Sequence, residues 1–295
     1  MSTKANNELF NRATGLLVIE VINSNPNGDP DKESDPRQRN DMRGMISPVS
    51  FKRKVRDLVD NKEGEVWKSI SQKLNLTNKD INYSILESRG RDRNEIIKML
   101  KENEEKFKKE YWDARVFGNT FLEEGSSTSI KTGVVQFGLG VSISPILIER
   151  HTTTNKAGVE EGKDRGMAPL AYRIVQHGVY CLPFFVNPSV AYKTGCTNLD
   201  IELLTKVIPY SYTNTSSYIR TQVVIHHAWY VEHKTPLGSC SDFELIKDLT
   251  PYKLKEEDSE KPSSSIKEYY LPSEKDVREE LKEKVKSIRD LMKEI

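Results

Sequence analysis

The chain has 295 residues, of which 36% are hydrophobic and 30% are charged, enough for one large domain or two small ones. Its 45 Lys and Arg residues nearly balance its 44 Asp and Glu residues, so the net charge of +1 excludes a uniformly basic nucleic-acid coat but permits a basic groove. There is no apolar run of about 18 residues, and residues 1–12 lack the apolar core of a secretion signal. We therefore expect a cytoplasmic protein with no membrane partner.

The first predicted elements are a strand, a loop and an amphipathic helix. Residues 14–23 (TGLLVIEVIN) are β-branched and apolar, which is typical of a buried strand. Residues 24–36 are rich in Asn, Pro, Gly and Asp and predict a loop. Ser47 and Pro48 are a favoured N-cap and a favoured first helical residue, and the helix that they begin has one apolar face. That face consists of Phe51, Val55, Leu58 and Val59.

The rest of the chain alternates strands with helical and polar segments. Residues 61–124 are polar and predict a mostly helical insertion, whereas the alternation over 134–144 predicts a strand with one buried face. Residues 150–170 form a polar, Gly-containing excursion between two strands that a short loop could join. A capping-box pattern precedes a predicted C-terminal helix over 273–295. Two further strands are predicted at 172–186 and 222–231, and a further helix at 198–208.

This order of elements predicts an α+β fold of the ferredoxin-like or RNA-recognition (RRM) type. Without the insertions the order is β-α-β-β-α-β, which gives a four-stranded antiparallel sheet with both helices on one face. RNA-recognition domains take single-stranded RNA on the open face of that sheet. We assign residues 1–253 to one core and residues 254–295 to a charged linker and the C-terminal helix. Within the core, the sheet and its helices take residues 13–60, 130–149 and 172–253. The helical insertion takes residues 61–129, and the excursion takes residues 150–171.

The sequence offers no strong catalytic or metal-binding motif. A P-loop, a nucleotide-binding GxGxxG, HExxH and GxSxG are all absent, and the three cysteines form no CxxC pair. His226 and His227 are adjacent on a predicted strand, so they point to opposite faces and are expected to be hydrogen-bonded strand residues. The acidic segment 29–40 alternates like part of a calcium loop, but Ser34 and Asn40 stand where Gly and Glu are required. We therefore predict no metal and no cofactor.

A cluster of basic residues surrounds the first helix. A solvated helix face is the ordinary explanation for such charges, and Asp41 and Asp57 lie within or beside the cluster. However, the charges are concentrated in a neutral protein, and the free amides of the Ser-Pro cap also favour phosphate. The cluster therefore favours nucleic-acid binding. Its members are Arg37, Arg39, Arg43, Lys52, Arg53, Lys54 and Arg56.

Several motifs, in this order along residues 15–249, resemble a known family. The sequence is similar to the backbone subunit of type I CRISPR effector complexes, which is the Cas-seven family of the repeat-associated (RAMP) superfamily. Its similarity is greatest to the branch found in subtypes I-B and I-C. The first motif, NPNGDP, is very specific to the family, whereas the charged helix alone would be weak evidence of a resemblance. The motifs are Asn25 to Pro30 (NPNGDP), residues 47–56, residues 113–118 (DARVFG), residues 133–144 and residues 232–238.

The resemblance implies a modified ferredoxin-like palm from which a long hairpin, the thumb, extends at 150–171. Several copies of the chain would line up along one CRISPR RNA, together with other Cascade subunits, in a bacterial or archaeal cytoplasm. The complex would present the guide for pairing with target DNA, and the subunit itself would not be an enzyme. Recognition should use the RNA backbone and its shape, because the subunit must accept any spacer sequence.

The resemblance also predicts which residues contact RNA. Residues near the first helix and its preceding loop would hold phosphates or shape the groove, and Arg115 would support the RNA face. Thumb residues would follow the RNA, with Met167 as an apolar wedge beside a displaced base. The predicted RNA-binding residues are Asn25, Asn27, Arg43, Ser47, Ser50, Lys52, Arg53, Arg56, Arg115, Gln136, His151, Lys163, Arg165 and Met167.

Two other functions are compatible with the sequence. The type III relatives in the same superfamily cut target RNA with a loop aspartate and a divalent metal, and Asp29, Asp31 or Asp35 could take that role. A protein-interaction module that uses the sheet is the third hypothesis. Cleavage of complementary RNA at a constant spacing would indicate the nuclease, whereas co-purification of a discrete RNA would exclude the interaction module.

Overall fold

The computed structural model describes residues 9–76, 81–88, 94, 98, 103–118, 132–155 and 168–295. Within these ranges, no helix is long and apolar enough to span a bilayer. The helices are α1 (Pro48–Asp60), α2 (Glu65–Lys73), α3 (Glu104–Glu110), α4 (Trp112–Phe117), α5 (Ala191–Thr194), α6 (Asn198–Val207), α7 (Asp242–Leu249) and α8 (Glu279–Lys282). The strands are β1 (Ala13–Ser24), β2 (Gly28–Asp29), β3 (Asp35–Pro36), β4 (Arg43–Ile46), β5 (Val135–Phe137), β6 (Gly140–Pro145), β7 (Ile148–Asn155), β8 (Ala168–Val186), β9 (Val223–His233), β10 (Tyr252–Lys253), β11 (Tyr269–Tyr270) and β12 (Val285–Asp290).

Eight of the described strands form one large antiparallel sheet. Its order is β12-β9-β1-β8-β6-β4, and β5 and β7 also pair with β8. The four strands predicted from the sequence correspond to β1, β5 with β6, β8 and β9, and they lie side by side in the middle of this order. The prediction of a mixed α and β fold with an antiparallel sheet is therefore confirmed, but four strands are too few.

One face of the sheet packs against α1 and α6. The apolar face predicted for α1 is buried, since Phe51, Val55 and Val59 have no exposed surface. Helix α6 adds Leu203 and Leu204 to the same core. Alternate β1 residues point towards these two helices, as the two-residue period of a strand requires. This layer fixes the position of α1 relative to the end of β1.

The opposite face of the sheet is also covered. Leu16 and Val18 of β1 and Trp229 of β9 pack against Leu245 of α7 and against the segment that carries Tyr269. Val18 is fully buried and Trp229 is 1% exposed. The expectation of an open sheet face that takes single-stranded RNA is therefore wrong at the centre of this sheet. β1 is a continuous apolar run because both of its faces are buried.

The predicted C-terminal helix over 273–295 is also wrong. The capping box of Ser273 and Asp276 is present, but it begins a single 3-10 turn. Beyond the short α8, residues 285–290 form β12, which extends the sheet by pairing with β9. The edge of β9 offers unpaired backbone groups, and satisfying them outweighs the helical spacing of the apolar residues.

The two ends of the predicted excursion between two strands form a ladder with each other. β7 and the first half of β8 pair from Ile148 with Val175 to Asn155 with Ala168. This hairpin extends the 19-residue β8 well beyond the central sheet. The predicted contacts Lys163, Arg165 and Met167 lie outside the described residues.

Candidate nucleic-acid interface

The loop after β1 holds the beginning of α1. The Asn27 side chain accepts a hydrogen bond from the Ser47 backbone amide at 2.7 Å, and the Ser47 side chain accepts one from the Ser50 amide at 3.2 Å. Asn25 donates to the Ser34 carbonyl at 2.7 Å and is 1% exposed. Asn25 and Asn27 therefore shape the loop, in line with one of the roles predicted for them. Ser47 is occupied as the N-cap, as its sequence position indicates.

Two predicted RNA contacts are buried ion pairs. The Arg56 Nε atom donates to Asp113 at 2.9 Å, and its Nη1 atom lies 3.0 Å from Glu87. Arg115 pairs with Asp200 at 2.8 Å. These arginines are 3% and 1% exposed. The prediction of RNA contacts is corrected for both, because a charge pair this deeply buried cannot reach a phosphate.

Lys52 and Arg53 remain partly accessible on the same edge of α1. The Lys52 ammonium lies 5.1 Å from the Phe117 ring centroid, and burial, followed by the repulsion of Arg56, lowers its pKa. Arg53 donates to the Glu87 carbonyl oxygen at 2.6 Å and keeps about one third of its side chain exposed. Both side chains are therefore partly open to an anion at the surface, although protein groups already hold them, and their contact with RNA stays a prediction.

Arg43 lies at the other end of the predicted basic cluster and is held by an acid. Its Nη2 atom donates to Glu260 at 2.8 Å, and its Nε atom donates to the Ile143 carbonyl at 3.3 Å. The side chain is 23% exposed. An RNA phosphate at Arg43 would have to share it with Glu260.

The base of the β7–β8 hairpin combines arginines with aromatic rings. His151 stacks on Tyr172 with ring centroids 5.9 Å apart, and Tyr172 meets the edge of Tyr218 at 5.4 Å. A cavity of about 280 Å³ lies beside Tyr172 and is also lined by Arg150 and Arg173. Aromatic faces and guanidinium groups are the side chains that single-stranded RNA uses for stacking and phosphate contact. Gln136, which is also predicted to bind RNA, is exposed on β5 and donates to the Gly133 carbonyl at 3.2 Å.

The structure adds two basic residues that the predicted set omits. Lys54 is 6% exposed, and its ammonium group donates to the Thr215 hydroxyl at 3.2 Å. Arg220 follows in the same loop and donates from Nε to the Asn25 carbonyl at 2.9 Å. Ser47, Ser50 and Lys54 are three and four positions apart, so they lie on one edge of α1. This spacing in the sequence could have shown that Lys54 lies on a different edge of the helix from Lys52 and Arg53. Only tertiary structure reveals the proximity of Arg220.

The histidines behave as the sequence predicts for strand residues. His226 and His227 point apart: the first pairs with Glu20 of β1 at 2.7 Å and the second with Asp290 of β12 at 2.8 Å. Glu20 is also 3.0 Å from His177, and both histidines help to lower its pKa against the opposing effect of burial. Across the described part of the chain, no group of three or more His, Cys, Asp or Glu side chains is arranged to hold a metal.

One further arrangement has the composition of a catalytic triad. His233 lies 3.2 Å from Asp242 through Nε2, while its Nδ1 atom is 3.9 Å from the Cys240 sulfur. However, Nδ1 already accepts the Ser239 amide at 3.0 Å, and burial raises the pKa of the Cys240 thiol. A nucleophilic cysteine needs a lowered pKa and a free base, so this arrangement serves packing.

Comparison with known proteins places these features in a family. The sequence profile of the family described as "CRISPR-associated protein Cas7" matches residues 11–274. A Haloferax volcanii protein, also described as "CRISPR-associated protein Cas7", is 24% identical over 213 residues. That alignment covers 66% of this chain and 62% of the relative, so the chain spans less than two thirds of the relative's length.

Solved structures with a related shape carry similar descriptions. A chain of "CRISPR RNA-guided surveillance complex, pre-nicking" has a TM-score of 0.48 at 14% identity, with 75% of this chain and 78% of that chain covered. A chain of the "Type III-B Cmr-beta bound to cognate target RNA" has a TM-score of 0.42 at 12% identity, with 75% and 61% covered. The profile match spans most of the sequence and includes the loop, α1 and the hairpin. This chain therefore belongs to the Cas7 family of CRISPR-associated proteins.

Proposed function

We propose that this protein is the CRISPR RNA-binding backbone subunit of a type I Cascade surveillance complex. Several copies would assemble along one CRISPR RNA with the other subunits, and the assembled guide would pair with target DNA. The observation that carries the proposal is the Cas7 family match over residues 11–274, which contains every element of the candidate interface.

The geometry supports a continuous path for an RNA backbone. The loop after β1 contacts α1 through Asn27 and Ser47, and it contacts the hairpin through the ion pair of Asp35 with Arg173. The N-terminal end of α1 and the base of the hairpin are thus tied to one loop. The junction includes the carboxylates of Glu33 and Asp35 beside Arg150, Arg173 and the Tyr172 ring. The guanidinium groups and the ring suit recognition of backbone and stacked bases without a fixed sequence.

The nuclease alternative receives no support from two of the three loop aspartates, Asp29 and Asp35. Asp35 is paired with Arg173, and Asp29 lies 3.8 Å from Arg37. A divalent cation at either carboxylate would have to compete with a neighbouring guanidinium group, which favours a role for these aspartates in shaping the loop. We therefore propose a scaffold without catalytic activity.

Purification from its host, or reconstitution with a CRISPR RNA, tests the assembly. We expect a discrete bound RNA, and we expect the particle mass to grow in steps of one subunit as the RNA is lengthened. A monomer at saturating RNA would contradict the proposal. Incubation of the assembled complex with complementary RNA and Mg²⁺ tests the alternative, because cuts at a constant spacing would indicate a type III-like nuclease.

A linker variant tests the thumb. Replacing residues 156–167, which connect β7 to β8 in the sequence, with a short Gly-Ser linker leaves every paired residue of the β7–β8 ladder in place. We expect a folded protein that still binds RNA but loses the regular spacing of its nuclease protection pattern. If the linker variant keeps the same spacing, the thumb assignment is wrong.

A further inference from the structure

One predicted RNA contact is occupied by an acid from a distant part of the chain. The Arg43 Nη2 atom lies 2.8 Å from a carboxylate oxygen of Glu260, which follows it by 217 positions. Arg43 begins β4, the strand that ends the described order of the sheet and leads into α1. The Arg43 side chain is 23% exposed, so a ligand can reach it once the carboxylate moves away.

Glu260 belongs to an exposed and acidic loop. Residues 254–262 contain four acids and two lysines, and every residue except Asp258 is exposed. The loop folds back on itself, for example through the Ser259 amide, which donates to the Glu256 carbonyl at 3.0 Å. In the part of the chain that the structure describes, only the pair with Arg43 joins residues 255–262 to the sheet by an ion pair or a hydrogen bond.

The two ends of the 254–262 loop are fixed by other contacts. Before the loop, Lys253 is buried and pairs with Glu268 at 2.7 Å. After the loop, Ser263 is buried, and its hydroxyl lies 2.7 Å from His177 of β8. Because these contacts anchor the loop beside the sheet, the loop keeps its place without the Arg43 pair.

Arg43 has a second acidic neighbour, and the two acids differ in their freedom to leave. Asp41 lies 3.7 Å from the Arg43 Nη1 atom, and its carboxylate also accepts the Arg43 backbone amide at 3.2 Å. Asp41 therefore stays beside Arg43. Glu260 comes from a separate loop and its side chain is 70% exposed, so it can withdraw without disturbing β4. An ion pair with so exposed a partner adds little to the stability of the fold.

A carboxylate and a phosphodiester bind a guanidinium group through the same chemistry. Both offer oxygen atoms that accept charge-assisted hydrogen bonds from the terminal nitrogens of arginine. Glu260 and an RNA phosphate would therefore compete for Arg43. The apparent affinity for RNA is then lowered by the fraction of molecules in which Glu260 occupies the arginine.

We propose that the 254–262 loop is autoinhibitory: in the RNA-free protein Glu260 occupies Arg43 in place of a phosphate, and RNA binding displaces it. This inference rests on the proposed function, which makes Arg43 part of the RNA interface. A guide that is held at many other points stays bound despite this competition. An unrelated RNA with few contacts does not, so the loop acts against non-specific RNA.

The test compares Glu260→Gln with Glu257→Gln as the matched control. Both changes remove one negative charge from the same exposed loop, but Glu257 forms no ion pair with any residue that the structure describes. Affinity for a labelled single-stranded RNA is measured in the full chain. We expect Glu260→Gln to bind about three- to fivefold more tightly than the wild type, as for the loss of one exposed ion pair, and Glu257→Gln to differ by less than about twofold. Equal affinities of the two variants would overturn the proposal.

A double-mutant cycle with Arg43→Gln assigns the gain to the arginine. Glu260→Gln should improve binding when Arg43 is present and should have no effect when Arg43→Gln is already in place, because no guanidinium group is then released. The urea midpoint of Glu260→Gln should stay within about 0.5 M of the wild-type value, since the pair adds little stability. A gain of equal size in both backgrounds would indicate a general charge effect and contradict the proposal.

Hydrogen exchange reports the displacement itself. Saturating RNA should accelerate exchange of the Ser259 and Lys261 backbone amides, because the loop loses its contact with Arg43. The same amides should exchange faster in Glu260→Gln than in the wild type without any RNA. If RNA leaves their exchange unchanged or slows it, the loop remains on Arg43 and the proposal is wrong.

Inorganic polyphosphate separates failure of the contact from failure of the proposed function. If no variant binds RNA but Glu260→Gln binds polyphosphate more tightly than both the wild type and Glu257→Gln, the function is wrong and the autoinhibitory contact stands. If the wild type binds RNA and the two variants match each other, the function stands and the contact is wrong. Absence of binding to both anions overturns both.

Discussion

Helix α1 has two charged edges, and they have opposite surroundings. The edge towards the helical insertion carries Lys52, Arg53 and Arg56. Arg56 forms ion pairs with Asp113 and Glu87, and Arg53 donates a hydrogen bond to the Glu87 carbonyl oxygen. The edge towards loop 211–220 carries Ser50 and Lys54, which meet a hydroxyl and an aromatic ring. We call these the insertion edge and the loop edge.

The comparison teaches that a count of basic residues does not locate an anion site. Four cations lie within five consecutive positions, yet one of them is neutralised in the core and another is buried without an ion-pair partner among the residues that the structure describes. What decides the role of each is whether its charge is already compensated. A compensated cation stabilises the fold, whereas an uncompensated one can gain free energy from a ligand.

Arg56→Met should have the largest effect, and it should act on stability. The change leaves Asp113 buried without its guanidinium partner, and breaking such a pair costs about 3–5 kcal/mol of unfolding free energy. Asp113 also accepts the Leu86 and Glu87 amides, so it cannot simply be expelled to solvent. Urea denaturation followed by circular dichroism measures the loss.

Arg53→Met on the same edge is the matched control. Arg53 is partly exposed and lies 3.8 Å from Asp57, so its removal should cost no more than about 1 kcal/mol. Equal losses for the two variants would show that Arg56 is not the structural member of the insertion edge.

The remaining two cations of the insertion edge test its contribution to binding. Lys52→Gln with Arg53→Gln should reduce affinity for every RNA sequence alike and lower the salt slope by about two, because two phosphate contacts are lost. The unfolding free energy should change little, since Lys52 and Arg53 are only partly buried. An unchanged salt slope would show that the insertion edge makes no phosphate contact.

Local sequence patterns predicted the central elements of the fold well. The apolar face of α1 and its Ser-Pro beginning are encoded within one segment, and the structure confirms both. The strands β1, β8 and β9 are long β-branched runs whose pattern survives in any context. These features depend on residues that are close together in the sequence, so they could be predicted from the sequence alone.

The errors arose where distant segments meet. Residues 285–290 have helical spacing but pair with the exposed edge of β9, and α7 covers a sheet face that the β-α-β-β-α-β order predicts to be open. The burial of Arg56 depends on Asp113, which lies 57 positions away. No local pattern reports such partners, and so the segment 47–56 was recognised as a basic helix while the burial of Arg56 within it was missed.

Ser47→Ala should have the smallest effect on stability. It tests how the loop after β1 holds the beginning of α1, and with it both edges of the helix. The change removes the acceptor of the Ser50 amide, and loss of an N-cap costs about 1 kcal/mol of unfolding free energy. Asn27→Ala acts on the same helix end, because the Asn27 side chain accepts the Ser47 amide.

Since both changes release one structural unit, the double variant should lose less stability than the sum of the two single losses. A coupling of about 0.5 kcal/mol or more in the double-mutant cycle is expected. Additive losses would mean that the loop and the helix cap fold independently. In that case the geometry of the path from the loop to α1 could not rest on the Asn27–Ser47 contact, and the positioning of both edges would have to come from the packing of Phe51 and Val55 against the sheet.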